Sequence, residues 1–328
     1  MAHAPQTVLL TGAAGFIGSH VAEALLRRGD TVVGLDNLDP YYPEALKRRN
    51  LAAVERTARE AGATFVFAQA DICDHTAVLG IMERERPAGV IHLAAKAGVR
   101  PSVEDPIGYA RANVMGTSVM LEAAKAARCA RFVMASSSSV YGNNKVVPFS
   151  EEQDVSAPIS PYAATKKACE LIGHTHWHLT RMPVGCLRFF TVYGPRQRPD
   201  LAIRLFMERI ARGETIPVYG SLEASRDYTF IDEIVRGVVA AYDRVHEHGF
   251  RVWNLGSKHP VTLAEMIATI ERVVGKRAVI ERLGKRAGDV ERTFADVTRA
   301  GAELGFVPRM SFEEGVSRQW AWMKGEGI

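Results

Sequence analysis

Thr7 to Leu10 is a short β-rich run that leads into Thr11-Gly12-Ala13-Ala14-Gly15-Phe16-Ile17-Gly18, and a helix-like stretch follows from Ser19 to Arg28. Gly29-Asp30 closes that helix, and Thr31 to Leu35 reads as a second strand. Glycines spaced Gly-x-x-Gly-x-x-Gly between a strand and a helix let the backbone turn tightly and approach a pyrophosphate, whose charge the helix N-terminus stabilises. Asp36 ends the second strand, 18 residues after Gly18. A carboxylate there accepts both ribose hydroxyls of an adenosine and repels a 2′-phosphate. No Arg or Lys lies between Asp30 and Tyr42 to pair with that phosphate, so the expected dinucleotide is NAD rather than NADP.

Strand-like and helix-like segments alternate after this unit. Strands are predicted at 7–11, 31–35, 64–68, 89–93, 131–136 and 184–189, and helices near 16–28, 43–61, 76–85, 107–127 and 162–180. The fold class expected from such alternation is α/β, a Rossmann-type doubly wound parallel sheet, with ligands outside the carboxyl ends of its strands. After Phe190 the pattern turns irregular, with Pro195, Pro199 and Pro217. Residues 1–187 with about 229–258 are therefore expected to form the nucleotide domain, and about 188–228 with 259–328 a smaller α/β substrate domain.

Composition narrows the function classes. At 328 residues the chain is long enough for a real core, and 47% apolar with 24% charged residues is the balance of a globular protein. The net charge of +4 is mild and its cations are scattered apart from Lys47-Arg48-Arg49, so no nucleic-acid partner is expected. No apolar run approaches the ~20 residues of a membrane span. Met1 to Gln6 lacks the pattern of a signal peptide. Cys73, Cys129, Cys169 and Cys186 have no metal-type or redox spacing, which fits a reducing cytoplasm. His174, His176 and His178 have no evident third partner, so no metal is expected.

A second motif carries chemistry. Ser136-Ser137-Ser138-Ser139-Val140-Tyr141-Gly142 follows the apolar run that begins at Arg131, and Tyr162-Ala163-Ala164-Thr165-Lys166 opens a predicted helix. Four residues apart, Tyr162 and Lys166 share one helix face. An ammonium beside a phenol lowers its pKa, and a serine hydroxyl can bind the same reacting oxygen. Such a set moves a proton on and off an alcohol while hydride moves elsewhere.

With both motifs in place the chain resembles the extended short-chain dehydrogenase/reductase family over essentially its whole length. Further family motifs stand in order: Asp71-Ile72, His92-Leu93-Ala94-Ala95, Asn113 and Arg226-Asp227-Tyr228. The match is to nucleotide-sugar 4-epimerases, and among them to the UDP-glucuronate 4-epimerase group. Ala97-Gly98-Val99-Arg100, Leu187 to Pro195 and Arg198-Pro199-Asp200 carry that part. The resemblance implies a cofactor site of Gly12, Gly15, Phe16, Ile17, Gly18, Asp36, Asn37, Asp71, Ile72, Leu93, Ala94, Ala95, Lys96 and Asn113, with Tyr162 and Lys166. It implies Ser137, Tyr162 and Lys166 as the catalytic set. The substrate site it implies adds Ser138, Ser139, Thr191, Arg198, Tyr219, Arg226, Arg286 and Asp289.

Related dehydratases and decarboxylases carry an acidic residue just before Val-Tyr-Gly, where this chain has only serine. No carboxylic acid stands there to protonate a leaving hydroxyl, so oxidation and re-reduction at carbon 4 of a UDP-sugar are expected. Arg198 is the candidate grip for a uronate carboxylate, since a guanidinium matches it in a bidentate fork; a surface charge or a phosphate contact is the other reading. Arg226 and Arg286 are candidates for the diphosphate, or else pair with Asp227 and Asp289. Tyr219 belongs either to the uracil wall or to a plain core strand. Two departures lie near the sugar: Lys96 replaces the family's usual Gln, and Arg196-Gln197 the group's usual Trp-Gly. A neutral UDP-hexose, glucose or N-acetylhexosamine, therefore stays open as substrate. A net dehydrogenase and a nucleotide-sensing protein without catalysis are the other classes. The family implies a homodimer through helices 107–127 and 162–180.

Overall fold

The computed structural model describes residues 4–284 and 290–327. The first half runs β1 (Thr7–Thr11), α1 (Phe16–Arg27), β2 (Thr31–Asp36), α2 (Glu44–Ala61), β3 (Phe65–Gln69), α3 (His75–Glu85) and β4 (Gly89–His92). It continues through α4 (Val99–Glu104), α5 (Pro106–Tyr109), α6 (Gly116–Ala126), β5 (Phe132–Ser137), α7 (Pro161–Thr180) and β6 (Val184–Phe189). The second half runs β7 (Thr191–Tyr193), α8 (Ala202–Arg212), β8 (Thr215–Tyr219), β9 (Ser225–Phe230), α9 (Ile231–Arg244) and β10 (Phe250–Leu255). β11 (Pro260–Thr262), α10 (Leu263–Val274), β12 (Val279–Leu283), α11 (Thr298–Leu304) and α12 (Phe312–Gly325) complete it.

Seven strands form one parallel sheet in the order β10-β6-β5-β4-β1-β2-β3. The expected doubly wound α/β sheet is thus present. Alternation along each strand builds its two faces. Val8 and Leu10 join the core made with α1, α2, α9 and α11, whereas Leu9 joins the one made with α3, α6 and α7. The chain order reverses between β1 and β4, and the carboxyl ends of these two strands open into the cleft described below. β10 pairs with β6 in parallel, Phe250 opposite Val184, after α9 has packed on α1. A third core, of Ile203, Phe206, Ile216, Met266 and Val316 among others, joins α8, α10 and α12 to β8 and the three-stranded sheet β11-β9-β7.

The helix expected at 107–127 is present as one continuous helical path of α5, a π turn and α6, since Ala110 (φ −63°) and Gly116 (φ −59°) at its two junctions stay helical. Asp105, with φ −130°, leaves the helical region before Pro106 and accepts a hydrogen bond from the Gly108 amide at 2.9 Å, which ends α4 and starts α5. Ala110–Met115 then forms a wide π turn ahead of α6.

Candidate active site

The glycine turn is built by close approach. Gly12 has φ +72°, and a Cβ there would lie 2.8 Å from the Ala94 amide nitrogen. At Gly18 it would lie 2.0 Å from the Gly12 carbonyl oxygen, so α1 starts directly against the turn. Asp36 is held by the same loop: its Oδ2 accepts from the Ala14 amide at 3.1 Å and its Oδ1 from Leu38 at 2.8 Å. Burial pushes its carboxyl pKa up despite those two bonds.

These residues line a cleft of about 560 Å³. Gly12, Gly15, Phe16, Ile17 and Gly18 line it together with Asp36, Asn37, Asp71 and Ile72. The Leu93-Ala94-Ala95-Lys96 segment forms a wall. Asp71 accepts from the Cys73 amide at 2.8 Å and stands 3.7 Å from Arg111, a lining cation that the sequence reading missed. Beneath the wall, His92 bridges Thr11 at 2.7 Å and Thr117 at 3.2 Å. Burial, aided by the charge of Lys166, lowers its pKa to about 3. Asn113 does not line the cleft. Buried in the π turn, it accepts from the Lys96 amide at 2.8 Å and donates to the Lys96 carbonyl and to Thr165 at 3.0 Å each. It fastens the wall to α7.

β5 and α7 bring the chemical groups to the same cleft. Ser160 caps α7 by accepting from the Ala163 amide at 3.2 Å, and Pro161 occupies the first turn. Tyr162 and Lys166 both line the cleft, as do Ser137, Ser138 and Ser139 from the end of β5. Lys166, only 5% exposed, donates to the Ala135 carbonyl at 2.8 Å. The Ser137 hydroxyl donates to Ser139 Oγ and accepts from the Ser139 amide, both at 3.1 Å. Tyr162 meets the edge of Tyr109 at 6.2 Å between ring centres.

Behind the set lies a buried polar chain of which sequence reasoning had no sign. Glu170, one turn beyond Lys166, accepts from Ser136 at 2.7 Å and from the Arg188 fork at 2.8 Å on each oxygen. Arg188 also donates to the Tyr141 hydroxyl at 3.0 Å, which donates in turn to Asn254 at 2.7 Å. Burial alone would push the Glu170 carboxyl up; Arg188 and Ser136 hold it below the ordinary value.

On the sugar side, Thr191 and Arg198 line the cleft, and Ser138, Ser139 and Thr191 also border an adjoining pocket of about 140 Å³ that reaches Arg226. Arg226 donates to the carbonyls of Ser225 at 2.9 Å and Val290 at 2.5 Å. Asp227 is not its ion partner: that carboxylate is fully buried and accepts from the Ser257, Lys258 and Ala295 amides. Arg198 forks onto Asp200, Nε at 3.0 Å and Nη2 at 2.9 Å, and lies 5.1 Å from the Tyr41 ring centre. Tyr219 lies outside both cavities, with the Arg100 guanidinium 5.3 Å from its ring centre. Arg286 and Asp289 lie outside the described residues. Lys96 forms an ion pair with Asp105 at 2.6 Å. Among the described residues no cluster of three or more His, Cys, Asp or Glu is arranged to hold a metal, and no helix is long and apolar enough to cross a membrane.

The arrangement joins an adenosine-type site with a phenol, an ammonium and a hydroxyl in one cleft, next to a cation. It suits dinucleotide-linked proton and hydride chemistry on an alcohol.

Comparison with known proteins agrees. The family described as GDP-mannose 4,6 dehydratase matches residues 9–319. The chain is 41% identical to a probable UDP-glucuronate 4-epimerase of Rhizobium meliloti (strain 1021), covering 96% of both. It is also 41% identical to UDP-glucuronate 4-epimerase 5 of Arabidopsis thaliana, covering 98% of this chain and 76% of that one. Among solved structures, the UDP-glucuronic acid 4-epimerase of Bacillus cereus, in complex with UDP-glucuronic acid and NAD, superposes with a TM-score of 0.90. It is 34% identical and the match covers 98% of this chain and 99% of that one. A Thermotoga maritima UDP-glucose 4-epimerase with UDP-glucose gives 0.86 at 31% identity, covering 98% and 100%. With the Gly-x-x-Gly-x-x-Gly turn, the serine run and the Tyr-Lys pair all at one cleft, this chain belongs to the GDP-mannose 4,6 dehydratase family, within the extended short-chain dehydrogenases/reductases that include the nucleotide-sugar 4-epimerases.

Proposed function

We propose that the protein is an NAD-dependent 4-epimerase acting on UDP-glucuronate to give UDP-galacturonate. The observation that carries this reading is the presence of Ser137, Tyr162 and Lys166 in the cleft that also holds the glycine turn and Asp36, with no carboxylic acid in the serine run. The cradle fits a dinucleotide: a Cβ at Gly12 or Gly18 would strike backbone, and Asp36 is oriented by two amides. Gly12, Gly15, Gly18 and Asp36 would hold NAD, with Asp71 at the adenine end. Bound there, NAD would supply the hydride acceptor and donor that chemistry at carbon 4 requires.

The chain's own residues move the proton. Tyr162 takes it from the 4-hydroxyl and later gives it back. Lys166, fixed on the Ala135 carbonyl, stabilises the phenolate, and Ser137 binds the same oxygen. Thr191 and the free edge of the Arg198 guanidinium hold the uronate, which keeps the 4-keto acid from losing carbon dioxide. Arg226 supports the diphosphate. Residues 1–187 with about 229–258 would serve as the nucleotide domain, which the pairing of β10 with β6 supports, and about 188–228 with 259–328 as the substrate domain, apart from α11, which packs in the core of the first.

The test is to incubate the purified protein with UDP-glucuronate, without added NAD, and follow the sugar by proton NMR. UDP-galacturonate without pentose or net NADH is expected. A neutral UDP-hexose is the second reading, favoured by one observation: the Arg198 fork already grips Asp200. Turnover of UDP-glucose alone would establish that reading instead.

A further inference from the structure

Residue 196 stands in the left-handed region, with φ +64°, although it is an arginine. That conformation is costly for a long side chain unless the surroundings fix it. Here three residues of α1 do so. Arg196 donates to Glu23 at 2.5 Å and to Ser19 at 3.3 Å, and His20 meets the Pro195 carbonyl at 3.0 Å. Glu23 is 7% and Arg196 15% exposed, so the pair is largely shielded from water. Gln197, 1% exposed, fills the next position by donating to the Val192 carbonyl and accepting from the Arg204 amide and from Gln319. The following residues reach the cleft: Asp200 holds Arg198 and accepts from the Tyr41 hydroxyl at 3.3 Å. Tyr41 and Arg198 both line the cleft, so their contact joins the loop after β2 to the segment after β7.

We propose that Arg196 is the latch of a strap, residues 194–200, which spans from α1 to Tyr41, sets the position of Arg198 and retains the dinucleotide. It is a positioning residue, acting on the cofactor through the strap and on the sugar through Arg198. The proposal rests on the epimerase reading above. Glu23 is well placed to serve it, since its other oxygen is held by Arg27 at 3.1 Å and α1 itself begins at the glycine turn.

Arg196→Gly is the informative variant, because glycine adopts the left-handed conformation without strain and leaves the backbone path intact. Bound NAD is measured after gel filtration, and kcat and KM are measured with UDP-glucuronate. A charge-assisted pair of this kind predicts that NAD leaves about tenfold faster and that KM rises about tenfold, with kcat within about threefold. Arg196→Lys should recover most of both, as it keeps the charge toward Glu23. Unchanged NAD release and KM in Arg196→Gly, with an active wild type, would overturn the latch and leave the epimerase standing. A wild type that neither retains NAD nor epimerises would instead overturn the epimerase reading. Equal loss in Arg196→Gly and Arg196→Lys, or a fall in kcat alone, would also reject the latch.

Discussion

Lys166, Ser136 and Ser137 show how finely single residues are divided between chemistry and support. Consecutive positions at the end of β5 serve three partners: the Ala135 carbonyl takes Lys166, Ser136 takes Glu170, and Ser137 faces the cleft. Tyr162→Phe removes the proton carrier without changing the ring's packing on Tyr109. It should lower kcat by about 10²–10⁴-fold while NAD still copurifies; loss of NAD with activity would assign Tyr162 to binding instead. Arg198→Ala should raise the KM for UDP-glucuronate or release pentose product, and NMR of the products distinguishes the two. The histidines near the cleft make a pH prediction. Burial, followed by the charge of Arg196, lowers the His20 pKa to about 4, and His92 sits at about 3. In the unfolded chain both bind a proton near pH 6.5. The unfolded state therefore holds more protons as pH falls below 6.5, and stability declines toward the folded values. Each group contributes at most about 1.4 kcal/mol per pH unit. His20→Gln keeps a donor for Pro195 and should flatten the fall in urea midpoint between pH 6.5 and 4.5. Asp36, raised by burial, acts in the opposite sense, so wild type and variant are compared with each other.

At the scale of elements, what could be read in advance followed burial. Strands such as Gly89–His92 and Val184–Phe189 are buried at every position, so short apolar runs between turn residues marked them. The glycine turn and the Tyr-Lys pair were legible because each is local: one backbone path, one helix face. What escaped depends on residues far apart in the chain. Glu170 and Arg188 lie in different elements, and only the packing of α7 on β5 and β6 brings them together. Asp227 looked like a partner for its neighbour Arg226, yet amides from 30 and 68 residues away claim it. The Asp105 cap lies just ahead of the helix expected at 107–127; what the apolar spacing did not mark there is the short α4 before it. Arg198 was identified as a cation near the sugar, but its Asp200 fork was not. The Glu170–Arg188 pair carries its own prediction. Glu170→Leu leaves a guanidinium buried without its partner and should cost about 3–5 kcal/mol in chemical denaturation. The double variant Glu170→Leu/Arg188→Leu should recover much of that loss. If the single variant cost under 1 kcal/mol, Arg188 would have found other partners.

Ten large apolar residues are exposed among the described residues, and five of them lie on two adjoining stretches of chain: Val103, Ile107, Met115, Leu171 and Leu179. Val103, Ile107 and Met115 lie along the segment from α4 through the π turn, which packs beside α7, the helix that bears Leu171 and Leu179. On α7 the last two are eight residues, just over two turns, apart. Isolated exposed apolar side chains are ordinary, whereas several on two adjoining helices are the kind of surface a partner covers. The homodimer that the family resemblance implies would cover it, since a two-fold arrangement places the same pair of helices against itself. α7 carries Tyr162 and Lys166, so dimerisation would also stiffen the catalytic face. Sedimentation of the wild type should give twice the chain mass at micromolar concentration. Leu171→Glu/Leu179→Glu should shift it to the monomer, because like charges would then face each other across the axis. A wild type that sediments as a monomer throughout would remove the second copy from this surface. A charged double variant that remained dimeric would place the interface elsewhere on the molecule.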